Sequence, residues 1–442
     1  MSKDSWLKAG SFSLLANIAQ LGFNFLAFLV LVRILSQDDF GVWVLYLTLT
    51  SFAEMTRIGF VQNGFVKFYS ASNDRERKEW ISTAFVLSTL VGLVGALFLW
   101  GLSFVLADLW SADILTQIVP WYILYAFLFG SLKLTEFIQI AKQDFRGVFV
   151  ANVLYGIFFL GGILYYWYFE LNIALYRLII FQSIAALVAL VFILLYQTSY
   201  FQFGVFNRIF FWKLFHFGKY VFGTNFSSML FNRMDVMMLG AFINPIAVSL
   251  YNVASRVNNY MEVPMNSLAQ VIYPRIAERQ KEGLIEVSKL YEKSVALLFL
   301  ISMPIAIFVF LFAEPIIIIL AGQEYLEATI VLKLLVLAGL IKPWGRLFGI
   351  TLDAIGQPVL NFKMLIVSLI FNISLNATLI PIMGLEGAAV ATLLAIWITI
   401  ILGQFLLSKR LKINHFNIFR LMIEYIQSVT TILKIKLKPK SE

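Results

Sequence analysis

The sequence predicts an all-α integral membrane protein with about twelve spanning helices, and three observations lead to this fold class. The first is composition: 60% of the 442 residues are hydrophobic and only 13% are charged, whereas a soluble domain is about half apolar and a quarter charged. The second is a succession of apolar runs of about 20 residues, the length that crosses a bilayer. The third is that these runs are continuously apolar, whereas the strands of a membrane barrel alternate in polarity.

The predicted spans fall into two groups of six. The longest polar interruption in the first two-thirds of the chain, at 198–218, separates an N-terminal lobe (1–197) from a C-terminal lobe (219–408) and is expected to be a cytoplasmic linker. Because six is even, both lobes enter the membrane from the same side, as parallel repeats. The predicted spans are 11–35, 41–68, 81–106, 117–141, 148–168, 173–197, 219–243, 248–273, 294–320, 329–351, 364–380 and 387–408.

Basic residues set the predicted orientation. The six short outer loops contain no Lys or Arg, whereas the inner segments and the tail contain many, so both termini are predicted to be cytoplasmic. The tail, 409–442, has an apolar stretch from Ile413 to Leu433 that is interrupted by charges and followed by four lysines. A thirteenth span would export those lysines, so we expect an amphipathic helix on the cytoplasmic leaflet.

Residue types that are absent exclude several classes of function. The chain has no cysteine, which excludes disulfides, thiolate metal sites and thiol nucleophiles. The only histidines, His216 and His415, lie near predicted cytoplasmic ends, so no histidine metal site is expected in the membrane core. Neither a Ser/His/Asp arrangement nor a phosphate-binding glycine loop is present. We therefore expect no enzyme activity and no metal or organic cofactor. The placement of the basic residues, despite a net charge of +9, argues against a nucleic-acid partner.

Central basic residues are the main functional signal. Insertion of a cation at the middle of a bilayer costs roughly 2.5–3.5 kcal/mol, so such residues normally face water, a partner or a substrate. Lys342 and Arg346 are four residues apart with no acid nearby in their own span, which predicts an anion, or an acid from another helix, between them. The pattern predicts a cationic cavity for an anion, formed by Arg57, Lys133, Arg233, Arg256, Lys342 and Arg346.

Four central acids leave an excess of two positive charges. Glu54 and Glu136 each lie three residues from a central cation, so each pair can be neutral on one helix. Asp235 and Glu262 can serve the two central arginines of their own half, Arg233 and Arg256. The same four acids are candidates for proton or sodium coupling.

Polar residues recur every three, four or seven positions in spans one, two, seven and eight, so each of these predicted helices has a polar face. A single Asn or Ser there can be a hydrogen bond between helices. Four stripes at matching places in the two halves favour a water-filled lumen instead. The asparagines predicted to bind substrate are Asn17, Asn24, Asn232, Asn252 and Asn259.

Four motifs lie at the ends of predicted spans and extend over nearly the whole chain. In order and spacing they resemble motifs of the polysaccharide transporter family, the Wzx-type oligosaccharide-lipid flippases of the MATE-like (MOP) superfamily. The motifs are Leu35-Ser36-Gln37-Asp38-Asp39-Phe40-Gly41, Tyr273-Pro274-Arg275-Ile276, Gly356-Gln357-Pro358 and Pro381-Ile382-Met383-Gly384-Leu385-Glu386-Gly387-Ala388-Ala389.

The resemblance implies a V-shaped bundle of two six-helix lobes that works by alternating access. It further implies transfer of an isoprenoid (undecaprenyl) pyrophosphate-linked oligosaccharide from the cytoplasmic to the periplasmic leaflet of a bacterial inner membrane, for O-antigen or another surface polysaccharide. The pyrophosphate would be the anion of the cationic cavity. The lipid-linked oligosaccharide, the bilayer and other polysaccharide assembly proteins would be the partners.

Two alternatives stay open. A MATE-type ion-coupled multidrug exporter would have the same fold but would need an excess of acidic lumen residues for its cationic substrates, and this chain has the reverse. A membrane glycan-modifying enzyme would usually carry a large outer loop or a membrane histidine, and neither is apparent in the sequence.

Overall fold

The computed structural model describes residues 3–169 and 171–437, and every regular element in these ranges is a helix. The chain forms two compact units, Met1–Ser249 and Leu250–Glu442. Helices α1 to α9 lie in the first unit, α10 crosses the boundary, and α11 to α17 lie in the second. Their bounds are α1 (Lys3–Ile34), α2 (Gln37–Arg57), α3 (Asn63–Ser70), α4 (Asp74–Trp110), α5 (Ile114–Ile118), α6 (Tyr122–Ala141), α7 (Phe145–Tyr168), α8 (Leu175–Tyr196), α9 (Arg208–Phe242), α10 (Pro245–Met261), α11 (Val263–Arg279), α12 (Leu284–Leu311), α13 (Ala313–Ala321), α14 (Ala328–Gly339), α15 (Lys342–Ala354), α16 (Pro358–Leu411) and α17 (His415–Leu437).

Seven helical segments in the described ranges are long and apolar enough to cross a membrane, and an eighth is added if α14 and α15, which meet at a bend of 45°, form one broken span. The chain is therefore a multi-pass membrane protein. The 54-residue α16 covers two predicted spans, because Gly384 interrupts it with φ 61° and ψ −135°, a conformation open mainly to glycine. The predicted spans outside this set, 41–68, 219–243 and 248–273, are the second, seventh and eighth. The eighth is divided into two shorter helices, α10 and α11, at Glu262. The total of twelve stays a prediction.

The predicted second span is not one continuous α-helix. It consists of α2, a π-helical turn at Ile58–Gln62 and α3. Ser36 caps the start of α2, where its hydroxyl accepts a hydrogen bond from the Asp39 N–H at 3.1 Å. A π-turn inserts one residue per turn, and such turns are frequent at functional sites. Arg57, the last residue of α2, directly precedes it.

The segment between α8 and α9 is held by hydrogen bonds to other parts of the first unit. The Ser82 hydroxyl donates to the Gly204 carbonyl at 2.8 Å, and the Gly204 N–H donates back to the same hydroxyl at 2.9 Å. The Tyr200 hydroxyl donates to the Asp144 carboxylate at 3.2 Å, and burial, reinforced by that carboxylate, raises the pKa of Tyr200. Residues 208–218 are the first turns of α9. The two units are defined by how the helices pack, which does not show whether one half of the chain repeats the other. The division into two repeats at 198–218 therefore stays a prediction.

Candidate functional site

Arg57 is the centre of a buried network in the first unit. Its side chain is almost completely buried, with the residue 1% exposed. Nη1 donates a hydrogen bond to the Ala126 carbonyl of α6 at 2.7 Å, and Nη2 forms an ion pair with Glu54 one turn earlier on α2. The Tyr122 hydroxyl of α6 donates to the other oxygen of Glu54 at 2.7 Å. The network therefore joins α2 to α6 and neutralises Arg57 within the unit.

Small residues make room for the guanidinium. A Cβ atom at Gly130 would lie 1.8 Å from Nη1 of Arg57, and one at Gly92 would lie 3.7 Å from the same atom. A small pocket between α4 and α6 reaches Arg57 and is lined by hydroxyl groups of Ser88 and Thr89. Glycine at 130 is thus required by the close approach of a charged group.

Lys133 and Glu136 form a second ion pair among the predicted central residues of this unit. Nζ of Lys133 lies 2.9 Å and 2.7 Å from the two carboxylate oxygens of Glu136. The ring of Phe129 lies between the two cations, 5.1 Å from Nζ of Lys133 and 5.9 Å from Cζ of Arg57, within the range of cation–π attraction. The pairing on one helix that the sequence allowed for Arg57 and Lys133 is thus what the structure shows.

In the second unit, one central ion pair joins residues that are far apart in the sequence. Glu262 lies at the break between α10 and α11 and forms an ion pair with Lys342, the first residue of α15. An acid from another helix was one of the two expected partners for Lys342. The expectation that Glu262 serves Arg256 stays a prediction, since the ion pair that the structure shows for Glu262 is with Lys342.

Arg256 is held by uncharged groups. Its Nε donates to the Asn252 amide oxygen one turn earlier at 3.4 Å, and it hydrogen-bonds the Tyr260 hydroxyl one turn later. Arg346 lies one turn after Lys342 and is exposed. No ion pair of Arg346 occurs in the part of the chain that the structure describes. Arg346 is therefore the central cation best placed to meet a ligand.

The other predicted residues are spread over several helices. Arg233 and Asp235 lie on α9, Arg233 partly exposed and Asp235 buried. Among the five asparagines, Asn252 is buried against Arg256, whereas Asn17, Asn24, Asn232 and Asn259 are exposed. A residue on a polar stripe is exposed whether it faces a lumen or lies on a polar outer surface. Exposure alone therefore does not distinguish the two locations. The assignment of these asparagines to substrate binding stays a prediction.

Sequence reasoning missed three residues that complete the sites: Tyr122, Gly130 and Tyr260. A signal for the first two existed, since Tyr122, Ala126, Gly130 and Lys133 follow one another at steps of four, four and three and so share one face of α6. No group of three or more His, Asp or Glu side chains that could hold a metal ion is found among the described residues.

The sequence is similar to one family of proteins and to several individual relatives. The sequence model of a family described as polysaccharide biosynthesis protein matches residues 30–330. The probable flippase AglR of Haloferax volcanii is 24% identical over 90% of this chain and 82% of its own length. The probable low-salt glycan biosynthesis flippase Agl15 of the same organism is 27% identical over 46% of this chain. The putative O-antigen transporter of Escherichia coli is 27% identical over 40%. The matches to the last two cover 43% of each relative's length, less than half.

Solved structures share the fold along almost the whole chain. An inward-facing multidrug resistance MATE family transporter of the MOP superfamily aligns with a TM-score of 0.74 at 13% identity, over 91% of this chain and 95% of the other. The lipid II flippase MurJ, in an inward closed conformation, aligns with a TM-score of 0.70 at 14% identity, over 98% and 93%. At such identities the likeness establishes the fold, which is the one that these two proteins share.

Proposed function

This chain belongs to the family of polysaccharide biosynthesis proteins, and we propose from that premise that it is a flippase for a lipid-linked oligosaccharide. One observation carries the proposal: the family match covers 30–330, and the similarity to a probable flippase extends over 90% of the chain. The proposed substrate is an isoprenoid pyrophosphate-linked oligosaccharide for O-antigen or another surface polysaccharide. The proposed route runs from the cytoplasmic to the outer leaflet of a bacterial inner membrane by alternating access, with further polysaccharide assembly proteins as partners.

The finer architecture belongs to the same proposal. A flippase of this kind would have twelve spans in two parallel six-helix repeats with both termini in the cytoplasm, since the outer loops lack Lys and Arg. In the second unit, the polar helices α10 and α11, which are separated by a break at Glu262, are then the ones proposed to face the path. Polar, broken helices are tolerated in a membrane where they face protein or water rather than lipid.

The pyrophosphate needs cations that are not already neutralised. In the first unit, Arg57 and Lys133 each have an acid of their own, so we assign them to holding α2 and α6 rather than to first contact with substrate. In the second unit, Arg346 is exposed and Arg256 has uncharged partners. A pyrophosphate bound there would accept charge-assisted hydrogen bonds from Arg346, with Arg256 as a further proposed contact.

Coupling to protons or sodium ions is proposed for the central acids. Glu54, Glu136 and Glu262 are counter-ions of basic residues, so loss of their charge would weaken an ion pair and change helix packing. Asp235 is buried on α9. A transport rate that ignores both gradients in sealed vesicles would exclude all four from this role.

Translocation in proteoliposomes tests the proposal. A lipid-linked oligosaccharide is supplied in the outer leaflet, and its arrival inside is followed by protection from an added glycosidase. We expect Arg346→Ala to lower the rate about tenfold or more with no change in melting temperature, because a charge-assisted hydrogen bond contributes roughly 1.5–3 kcal/mol. We expect Arg256→Ala to lower both the rate and the melting temperature, because it also removes the hydrogen bond to Asn252. Arg75→Ala, at an exposed arginine of α4, is the matched control. Unchanged rates in both variants would refute the site, and no translocation by the parent chain would refute the function.

A second function has one specific observation in its favour. The MATE transporter aligns with a TM-score of 0.74, slightly above that of the lipid II flippase. An ion-coupled exporter of cationic drugs would, however, need an acidic path, whereas the exposed central charge here is Arg346. Saturable uptake of a cationic dye by the same proteoliposomes, without oligosaccharide transfer, would establish the exporter.

A further inference from the structure

The C-terminal helix α17 is fixed to the second unit at its first turn. The buried carboxylate of Glu292, on α12, accepts hydrogen bonds from the Asn414 N–H at 2.8 Å and from the Asn417 amide at 2.6 Å. The Asn414 side chain in turn accepts from the Phe416 N–H at 3.0 Å and caps the helix. A carboxylate at a helix N-terminus is also favoured by the helix dipole. The start of α17 is therefore held in one place.

One face of α17 is part of the protein core. Ile418 and Met422, one turn apart, are buried in the cluster that contains Val287 and Tyr291 of α12. Leu421 and Tyr425 pack against the same cluster. This face runs along α12, so the helix is docked beyond its first turn.

As far as Ser428, the other side chains of α17 form two exposed faces of opposite character. One is apolar: Phe416, Phe419, Ile423 and Ile426 follow at steps of three, four and three, and Phe416 is 87% exposed. The other is polar and is formed by exposed side chains, among them an ion pair between Nε of Arg420 and Glu424 at 2.9 Å. The apolar face consists of Phe416, Phe419, Ile423 and Ile426. The polar face consists of Arg420, Glu424, Gln427 and Ser428.

Basic residues mark the level at which the chain leaves the apolar part of α16. Ile401 and Phe405 are exposed and apolar, as on a lipid-facing surface. Lys409 follows, with Nζ 4.2 Å from the centre of the Phe405 ring, and then Arg410 and Lys412, all exposed. A lysine that lies back over an aromatic ring at the end of an apolar helix is typical of the headgroup region. α17 begins only three residues later.

We propose that α17 lies in the membrane interface, with its apolar face inserted into the leaflet on the side of the basic residues and anionic lipid headgroups bound by those residues. The polar face argues against a span, because a spanning helix docked along one side would expose that face to hydrocarbon. Charge complementarity argues for anionic lipid as the occupant, since Lys409, Arg410 and Lys412 border the apolar face at its start.

Single-cysteine labelling tests the proposal on the full chain, which has no native cysteine. A fluorophore is attached at Phe419→Cys, on the apolar face, or at Ser428→Cys, on the polar face, after reconstitution into proteoliposomes. We expect nitroxide lipids with the spin label near the headgroup to quench the label at 419 at least threefold more than at 428, and iodide in the buffer to do the reverse. Both positions are exposed, and matched melting temperatures confirm that the variants fold.

Each other outcome refutes a defined part of the proposal. Quenching of both labels by nitroxides at the centre of the bilayer would make α17 a span. Iodide access to the label at 419 would assign the apolar face to a protein partner. Vesicles of phosphatidylcholine with and without phosphatidylglycerol separate the lipid classes. Quenching at 419 should rise with the anionic lipid, and equal quenching would refute anionic selection.

Discussion

Gly130 faces the buried guanidinium of Arg57 so closely that one methyl group must displace it, since a Cβ there would lie 1.8 Å from Nη1. We expect Gly130→Ala to lower the free energy of unfolding by about 1–3 kcal/mol, the usual range for overpacking, and to reduce transport by breaking the contact with Ala126. Melting in detergent measures the first effect. Gly101→Ala, on an exposed part of α4 with nothing within 4 Å, is the control. Equal melting temperatures for the two variants would contradict the close packing.

Glu54 and Arg57 should behave as a coupled pair. Arg57→Gln leaves a largely buried carboxylate without its cation, which costs about 3–5 kcal/mol when an ion pair is fully buried. The double variant Glu54→Gln with Arg57→Gln should regain a large part of that loss, because no uncompensated charge remains. A double-mutant cycle of melting free energies measures the coupling. Additive effects of the two single changes would show that the pair does not act as a unit.

At the residue level, sequence-local partners were predictable and distant ones were not. Glu54 with Arg57, and Lys133 with Glu136, are three residues apart, and a helix brings such residues together whatever the tertiary fold. The sequence indicates that Lys342 requires a negatively charged partner. That this partner is Glu262, 80 residues earlier, follows only from the packing of α11 against α15.

At the level of helices, Glu292 should control the docking of α17. Replacing it by alanine removes the acceptor for Asn414 and Asn417, and each hydrogen bond to a charged group contributes about 1.5–3 kcal/mol. We expect Glu292→Ala to increase amide hydrogen exchange across residues 415–428 at least tenfold, with little change in α4 or α7. Glu286→Ala removes a more exposed acid that pairs with Lys289 on the same helix. If both variants exchange α17 equally, the Glu292 contact does not hold the helix.

The existence of the apolar helices followed from run length alone, but their interruptions did not. A π-turn after Arg57 leaves no mark in composition, since Ile58–Gln62 reads as ordinary apolar helix. The turn between the last two predicted spans was expected, yet α16 passes through it as helix apart from Gly384. Propensity and periodicity describe a helix turn by turn, whereas such breaks depend on what packs against them.

For the whole molecule, the predicted orientation has a direct test, because the chain lacks cysteine. Asp113→Cys and Glu324→Cys lie in predicted outer loops, and Arg75→Cys and Lys281→Cys in predicted inner ones; all four positions are exposed. We expect a membrane-impermeant maleimide to label only the first pair on intact cells. Permeabilised cells, in which all four should react, provide the control. Labelling of an inner position on intact cells would overturn the count of twelve spans.

The ion pairs also bear on how the chain enters the membrane during synthesis. Glu54 leaves the ribosome three residues before Arg57, and Glu262 leaves it long before Lys342. Glu136 leaves the ribosome three residues after Lys133. Each cation therefore has its acid beside it, or already in the membrane, when its helix partitions into lipid, which offsets an insertion penalty of roughly 2.5–3.5 kcal/mol per base. Arg346 has no acidic ion-pair partner among the described residues. We therefore expect its segment to be the one that depends most on earlier helices for integration by the translocon.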